Sequence, residues 1–429
     1  MPARRPEMLR RAVMLANANA ALWAIGSGLA PTLLITYLAI GHGAQGLGMS
    51  FVLAAPRFAG VLRLATPQLM NRLGSPKRLC VLAYAASSLL LGVAAIVPAR
   101  VSPVPAGSRL AVLVAAWAAY QVVEYIGTTS LWVWLGRIYP LPLRGRLIGV
   151  REQWLTRGQI VGAIAGFCLA SSRTSPHLLW WLTPLDVTAL AGAAAMATAV
   201  LPLIAMPTGS GVTPATVEDA PHRKARVLTP EMRNLLVWSV LLSFANGIAA
   251  PARGIMPYRA LGMTYPALLA LATVMRLGQS ICAPVLGAYA DRLGARPVIA
   301  WSQAVVVLSP LFFLLASPSS PWWVAGAYAC WIAYAGLNVG LDLLKLQVAP
   351  PGREARSLAL YYTANDLASG ATIIAGGLLL QPLLNGSTAD TSSYTWLLAL
   401  GFAARLTVGL LAPILPSGPQ KPAPSVATA

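Results

Sequence analysis

Apolar runs of about 20 residues alternate with short polar turns along almost the whole chain. A helix rises 1.5 Å per residue, so each run is long enough to cross a hydrocarbon layer about 30 Å thick. Twelve such spans are read: 14–40, 46–69, 79–97, 109–135, 149–171, 178–205, 233–256, 265–289, 298–316, 321–344, 357–382 and 394–415. Residues 207–232 interrupt the pattern with Pro, Thr and charge, and residues 417–429 carry no apolar periodicity. The pattern predicts an all-α polytopic membrane protein. It has a six-helix bundle over 1–206, a cytoplasmic linker over 207–232, a second bundle over 233–416 and a disordered tail over 417–429.

Composition agrees with this reading. Only 10% of residues are charged and 57% are hydrophobic, whereas a soluble domain carries about 25% charged residues. The excess of 31 Lys+Arg over 12 Asp+Glu would suit nucleic acid if it were spread over one face. Instead it gathers before the first span (Arg4, Arg5, Arg10, Arg11) and in every second loop, as at Arg137, Arg144 and Arg146 or at Lys345, Arg353 and Arg356. Alternate loops hold few cations, which is the positive-inside pattern. The expected partner is therefore the lipid bilayer of a cell inner membrane, with both termini cytoplasmic and no nucleic acid bound. The four arginines ahead of the first run mimic a signal peptide, but the run is too long for one and is read as a retained helix. Cys80, Cys168, Cys282 and Cys330 show no paired spacing, and His42, His177 and His222 fall in loops, so no metal or other cofactor is expected.

The two halves repeat one another. AIGSGLAP at 24–31 matches FANGIAAP at 244–251, and MNRLGSPK at 70–77 matches ADRLGARP at 290–297, both at an offset of 220. The segment from Pro142 matches that from Gly352 at an offset of 210, and the change is absorbed by a longer loop in the first half. Three collinear matches with the gap in a loop indicate duplication. Pro31 and Pro251 occupy equivalent places and are expected to bend spans one and seven.

Twelve spans in two repeats, with the turn GAYADRLGAR from Gly287 to Arg296, resemble the major facilitator superfamily. The resemblance covers residues 14 to 415. It implies a monomeric secondary transporter working by alternating access, not an enzyme, and assigns the gating turn Asp291, Arg292 and Arg296. Asp291 is expected at the start of span five, near Gly149, Val150 and Arg151, where a helix N-terminus stabilises a carboxylate. The first-half copy, Asn71 with Arg72, departs from the family pattern. Asn71 replaces the aspartate and Pro67 the leading glycine, so the second half should hold the stronger cytoplasmic lock.

Ionisable groups inside spans are costly and therefore functional candidates. Arg57 and Arg276 sit at nearly equivalent repeat positions in spans two and eight, with Arg63 close by. Two guanidinium groups meeting at the pseudo-axis would clamp an anion. Asn246 and Asn338 could hydrogen-bond a solute. Glu124 and Asp366 are candidates for proton coupling or for neutralising arginines within their bundles. Asp342 and Lys345 read as an interfacial i,i+3 pair. The expected function is transport of a small organic anion, with H+ as the candidate coupling ion. The alternatives are proton-driven efflux of lipophilic or cationic compounds and a transport-inactive scaffold or sensor.

Overall fold

The computed structural model describes residues 4–31, 34–35, 47–100, 106–171, 184–208, 228–263, 265–350, 352–385 and 391–417. Those residues are helical almost throughout, joined by short turns. In the first half, span one is helical over Arg4–Leu29, span three over Pro76–Arg100 and span four over Ala106–Ile138. Span five runs over Arg144–Ser171, and span six over Pro184–Thr198 and Val200–Ala205. In the second half, span seven comprises Pro230–Ile248 and Ala250–Arg259, span eight Tyr265–Leu293 and span nine Ala295–Val306 with Ser309–Leu315. Span ten comprises Val324–Trp331 and Tyr334–Val348, span eleven Glu354–Asn385 and span twelve Ser392–Leu410.

Span two differs from the continuous helix expected. It is α-helical over Leu47–Ala59, narrows to a 3-10 helix over Gly60–Ala65 and resumes over Thr66–Leu73. Pro56 and Pro67 flank the narrowed stretch, where each proline removes a backbone donor. Span five begins at Arg144, five residues ahead of its apolar run, because the polar first turn is helical too. Span seven begins at Pro230, capped by Thr229 Oγ1 accepting from the Met232 amide at 3.2 Å. The helix thus takes up the last three residues of the expected linker. Linker residues 209–227, the tail from 418, His42, His177, His222 and the Trp180–Trp181 doublet lie outside the described residues.

The repeat is visible in the backbone. Gly74 and Gly294, 220 residues apart, both take positive φ, 68° and 91°, where each repeat turn leaves its helix. Such a conformation costs little only for glycine. The helix of span one stops at Leu29, shortly before Pro31, and span seven breaks at Ala249, shortly before Pro251.

Among the described residues, nine helical stretches are long and apolar enough to cross a membrane, and spans two, five and eleven are not among them. These three carry Arg57 and Arg63, Arg151, Glu152 and Arg157, and Asn365 and Asp366. The contacts explain the polarity. Span two packs on span eleven and span five on span eight, so these helices form the two seams between the halves. Their polar faces meet protein, while large apolar side chains such as Leu89 and Trp301 project outward, 70% and 77% exposed. Within the first half, span one packs on five and three on four; within the second, seven packs on eleven and nine on ten. Span five lies almost backbone to backbone on span one. A Cβ added at Gly158 would stand 2.8 Å from that of Ala24, and one at Gly162 would stand 2.9 Å from the Gly28 Cα.

Candidate functional site

Between the halves, spans two, five, seven, ten and eleven line an open cavity of about 320 Å³. Its charged lining comes from Arg57, Glu152, Asp342, Lys345 and Asp366. Asp366 is the hub. Arg57 Nη1 donates to its Oδ1 at 2.9 Å, and Arg63 Nη1 forms an ion pair with Oδ2 at 2.9 Å. The approach needs glycine on both seam helices. A Cβ at Gly60 would stand 2.8 Å from Asp366 Oδ2, and one at Gly370 would stand 3.1 Å from the Arg57 Cβ. The side chain of Arg63 is 6% exposed and its guanidinium lies between the rings of Tyr125 and Tyr362, 4.0 and 4.9 Å from their centroids. Arg57, by contrast, is 45% exposed.

A second ion pair joins Lys345 to Asp342. Lys345 Nζ also donates to the Tyr362 hydroxyl at 2.9 Å and faces the Tyr361 ring. Glu152 on span five lies 3.9 Å from Arg151. Neutral hydrogen-bonding groups complete the lining: Ser239, Ser243, Asn246, Asn338, Tyr361 and Asn365. Ser243 Oγ donates to Asn365 Oδ1 at 2.8 Å, which fixes that amide in place.

At the end of the bundle that carries the repeat turns, the two seams differ. Asp291 closes the five–eight seam. Its Oδ1 accepts from the Gly145 amide at 2.8 Å and its Oδ2 from the Arg146 amide at 2.7 Å, in the first turn of span five. The contact falls one turn earlier than expected near Gly149 to Arg151, because the helix starts at Arg144. Arg144 adds a bond across the halves, Nη1 to the Leu346 carbonyl at 3.2 Å. Backbones nearly touch here: a Cβ at Gly287 would stand 3.1 Å from the Gly145 carbonyl carbon, and one at Gly149 would stand 3.0 Å from the Pro284 Cα.

The two–eleven seam instead holds a cavity of about 960 Å³, lined by Pro67, Asn71, Arg137, Ala355, Arg356 and Ala359 among others. The repeat offsets set Pro67 against Gly287, Asn71 against Asp291, and Ala355 and Ala359 against Gly145 and Gly149. The aspartate and the three glycines that shut one seam are thus replaced in the other.

The sequence matches no family model and no curated relative, so the likeness to known proteins is one of structure. The proton:xylose symporter XylE of E. coli superposes with a TM-score of 0.66 at 13% identity, over 94% of this chain and 95% of that one. The human organic anion transporter MFSD10 gives 0.60 at 14% identity, over 92% and 99%. A bacterial homologue of the iron transporter ferroportin gives 0.61 at 15%, over 94% and 98%.

This is the major facilitator fold.

Within that fold the expected site residues divide. Arg57, Asn246, Asn338 and Asp366 line the central cavity, and Arg63 lies against Asp366. Arg276 does not join them. It donates to Gln159 on the five–eight seam, so no Arg57–Arg276 clamp forms. Repeat symmetry equates positions along two helices without requiring both to face one point. Glu124 accepts from Thr128 at 3.0 Å, which in turn bonds Tyr84, within the first half and outside the cavity lining. Arg151 packs over the Trp132 ring at 5.2 Å and does not reach Asp291. Asn71, Arg72 and Arg292 are exposed, and Arg296 bonds Ser417 at 3.4 Å.

Lys345 and Asp342, expected as an interfacial i,i+3 pair, stand in the cavity wall. Glu152 was missed. Its signal lay in helical spacing, since Gly145, Gly149 and Glu152 recur at i, i+4 and i+7 on one face.

Proposed function

We propose that the protein is a secondary transporter for a small hydroxylated solute without net charge, bound in the central cavity and moved by alternating access. The pairing of charge in that cavity carries the reading. Each charged group of its lining has an opposite partner: Asp366 with Arg57 and Arg63, Asp342 with Lys345, and Glu152 with Arg151. An ionic solute would have to break a buried pair, at a cost of about 3–5 kcal/mol. A polyol breaks none, and Ser239, Ser243, Asn338 and Tyr361 offer it donors and acceptors. The cavity's 320 Å³ suits a molecule of monosaccharide size. XylE, a proton:xylose symporter, supports this substrate class.

One observation favours a second reading. Arg57 is 45% exposed beside Asp366, so a proton on Asp366 would free its guanidinium for an organic anion, the cargo class named for MFSD10. Either way Asp366 is the residue through which proton and solute would be coupled. The polar lining does not favour lipophilic cargo.

Uptake into proteoliposomes under an inward pH gradient separates the readings. Labelled pentoses, hexoses and alditols should accumulate, and the Asp366→Asn variant should lose the dependence on the gradient. Uptake confined to carboxylates would replace the first reading by the second. Uptake of neither class would refute both.

A further inference from the structure

Inside the second half, away from the charged wall of the cavity, two arginines converge on one residue. Arg405 of span twelve is 1% exposed, and its Nη2 donates to Asn246 Oδ1 and the Tyr334 hydroxyl. Arg253 of span seven donates through Nη2 to the Asn246 backbone carbonyl at 2.6 Å. Asn246 lies one turn before the break of span seven, and Tyr334 is the first residue after the break of span ten. The two interrupted helices therefore deliver the polar groups that hold the guanidinium pair.

The donors outnumber their acceptors. Arg405 Nε and Nη1 are buried without a partner, and so is Nε1 of Trp331, whose ring lies 6.0 Å from the Arg253 guanidinium. Neither arginine forms an ion pair among the described residues. The described acids of this half are engaged elsewhere. Asp342 pairs with Lys345, Asp366 with Arg57 and Arg63, and Asp291 holds span five. Glu354 accepts from the Gly352 amide, and Glu231 is exposed in the first turn of span seven. Two guanidinium groups that share Asn246 within the membrane layer, with three unpartnered donors on Arg405 and Trp331, lack a counter-charge.

We infer that Arg253 and Arg405, with Trp331 Nε1, bind a small monovalent anion inside the second half. Guanidinium and indole N–H groups only donate, so the complementary ligand is an acceptor carrying negative charge. An inorganic halide and a small carboxylate share that chemistry. The site is independent of which solute crosses the central cavity, although Asn246 touches both. By joining the broken segments of spans seven and ten through span twelve, the anion would hold the second half together.

Bromide is a suitable probe. In the purified full-length protein, replacing gluconate by bromide at fixed ionic strength should raise Tm saturably, by about 3 °C or more. Arg253→Gln and Arg405→Gln should each abolish the rise. A bromide curve superimposing on that of gluconate would overturn the inference, as would a full rise in Arg253→Gln. Should Arg405→Gln fail to fold, crystals of the unaltered protein in bromide decide. An anomalous peak beside Arg405 Nε and Nη1 supports the site, and no peak there refutes it. Acetate assigns the source. Displacement of bromide by acetate indicates a carboxylate ligand, and bromide binding indifferent to acetate indicates an inorganic ion.

Discussion

Asp291 accepts the Gly145 amide at 2.8 Å and, with its other oxygen, the adjoining amide of Arg146. A carboxylate thereby caps the first turn of a helix in the opposite half, combining two charge-assisted bonds with the favourable end of the helix dipole.

Replacing that carboxylate by an amide keeps one acceptor and loses the charge. Asp291→Asn should cost about 1.5–3 kcal/mol at this contact, or roughly tenfold to a hundredfold in local opening. Hydrogen exchange at Gly145 and Arg146 should accelerate accordingly. Asn71→Ala, at the equivalent first-half position, should change exchange around Arg356 by less than about twofold, within the noise of surface substitutions.

Steric probes should show the same inequality between seams. Gly149→Val forces a side chain against Ala283 and Pro284, where even a Cβ stands 3.0 Å from the Pro284 Cα. A loss of about 1–3 kcal/mol is expected from such overpacking, read as a lower Tm. Ala355→Val, at a half-buried position lining the 960 Å³ cavity, should cost under about 1 kcal/mol.

The Asp366 hub predicts a non-additive series. Asp366→Asn leaves two arginines uncompensated and should destabilise by about 3–5 kcal/mol. Arg63→Gln should cost more than Arg57→Gln, since their side chains are 6% and 45% exposed. The double variant Asp366→Asn, Arg63→Gln should be more stable than Asp366→Asn alone, which thermal unfolding would show.

Transport kinetics should separate the cavity from the seam. Asn338→Ala removes an exposed amide from the cavity wall and should raise KM for a neutral solute about tenfold, as loss of one good hydrogen bond does. Arg276→Gln, whose group lies against Gln159, should leave KM within about twofold, the spread of distant substitutions. An equal rise in KM for both would restore Arg276 to the binding site.

Much of this was legible in the chain and some could not be. Span lengths and the repeat follow from apolar patterning, which reports burial in lipid directly. The glycines Gly74 and Gly294 fall at the repeat offset because the turn geometry demands them. The register of Asp291 on span five was misplaced because hydropathy marks where a helix becomes apolar, and the helix begins earlier, at Arg144. The pairing of Asp366 with Arg57 joins residues 309 positions apart. No local pattern records which of several intramembrane charges will face one another. The repeat suggested Arg276 instead, since symmetry equates positions and says nothing of azimuth.

Span five also has a mechanical consequence. Gly145 and Gly149 hold it against span eight, while Gly158 and Gly162 hold it against span one. Gripped at both ends with no side chains to act as springs, it transmits displacement without slack. At 1.5 Å per residue the two grips stand about 26 Å apart, from Gly145 to Gly162, so span five links the Asp291 contact to span one through backbone packing.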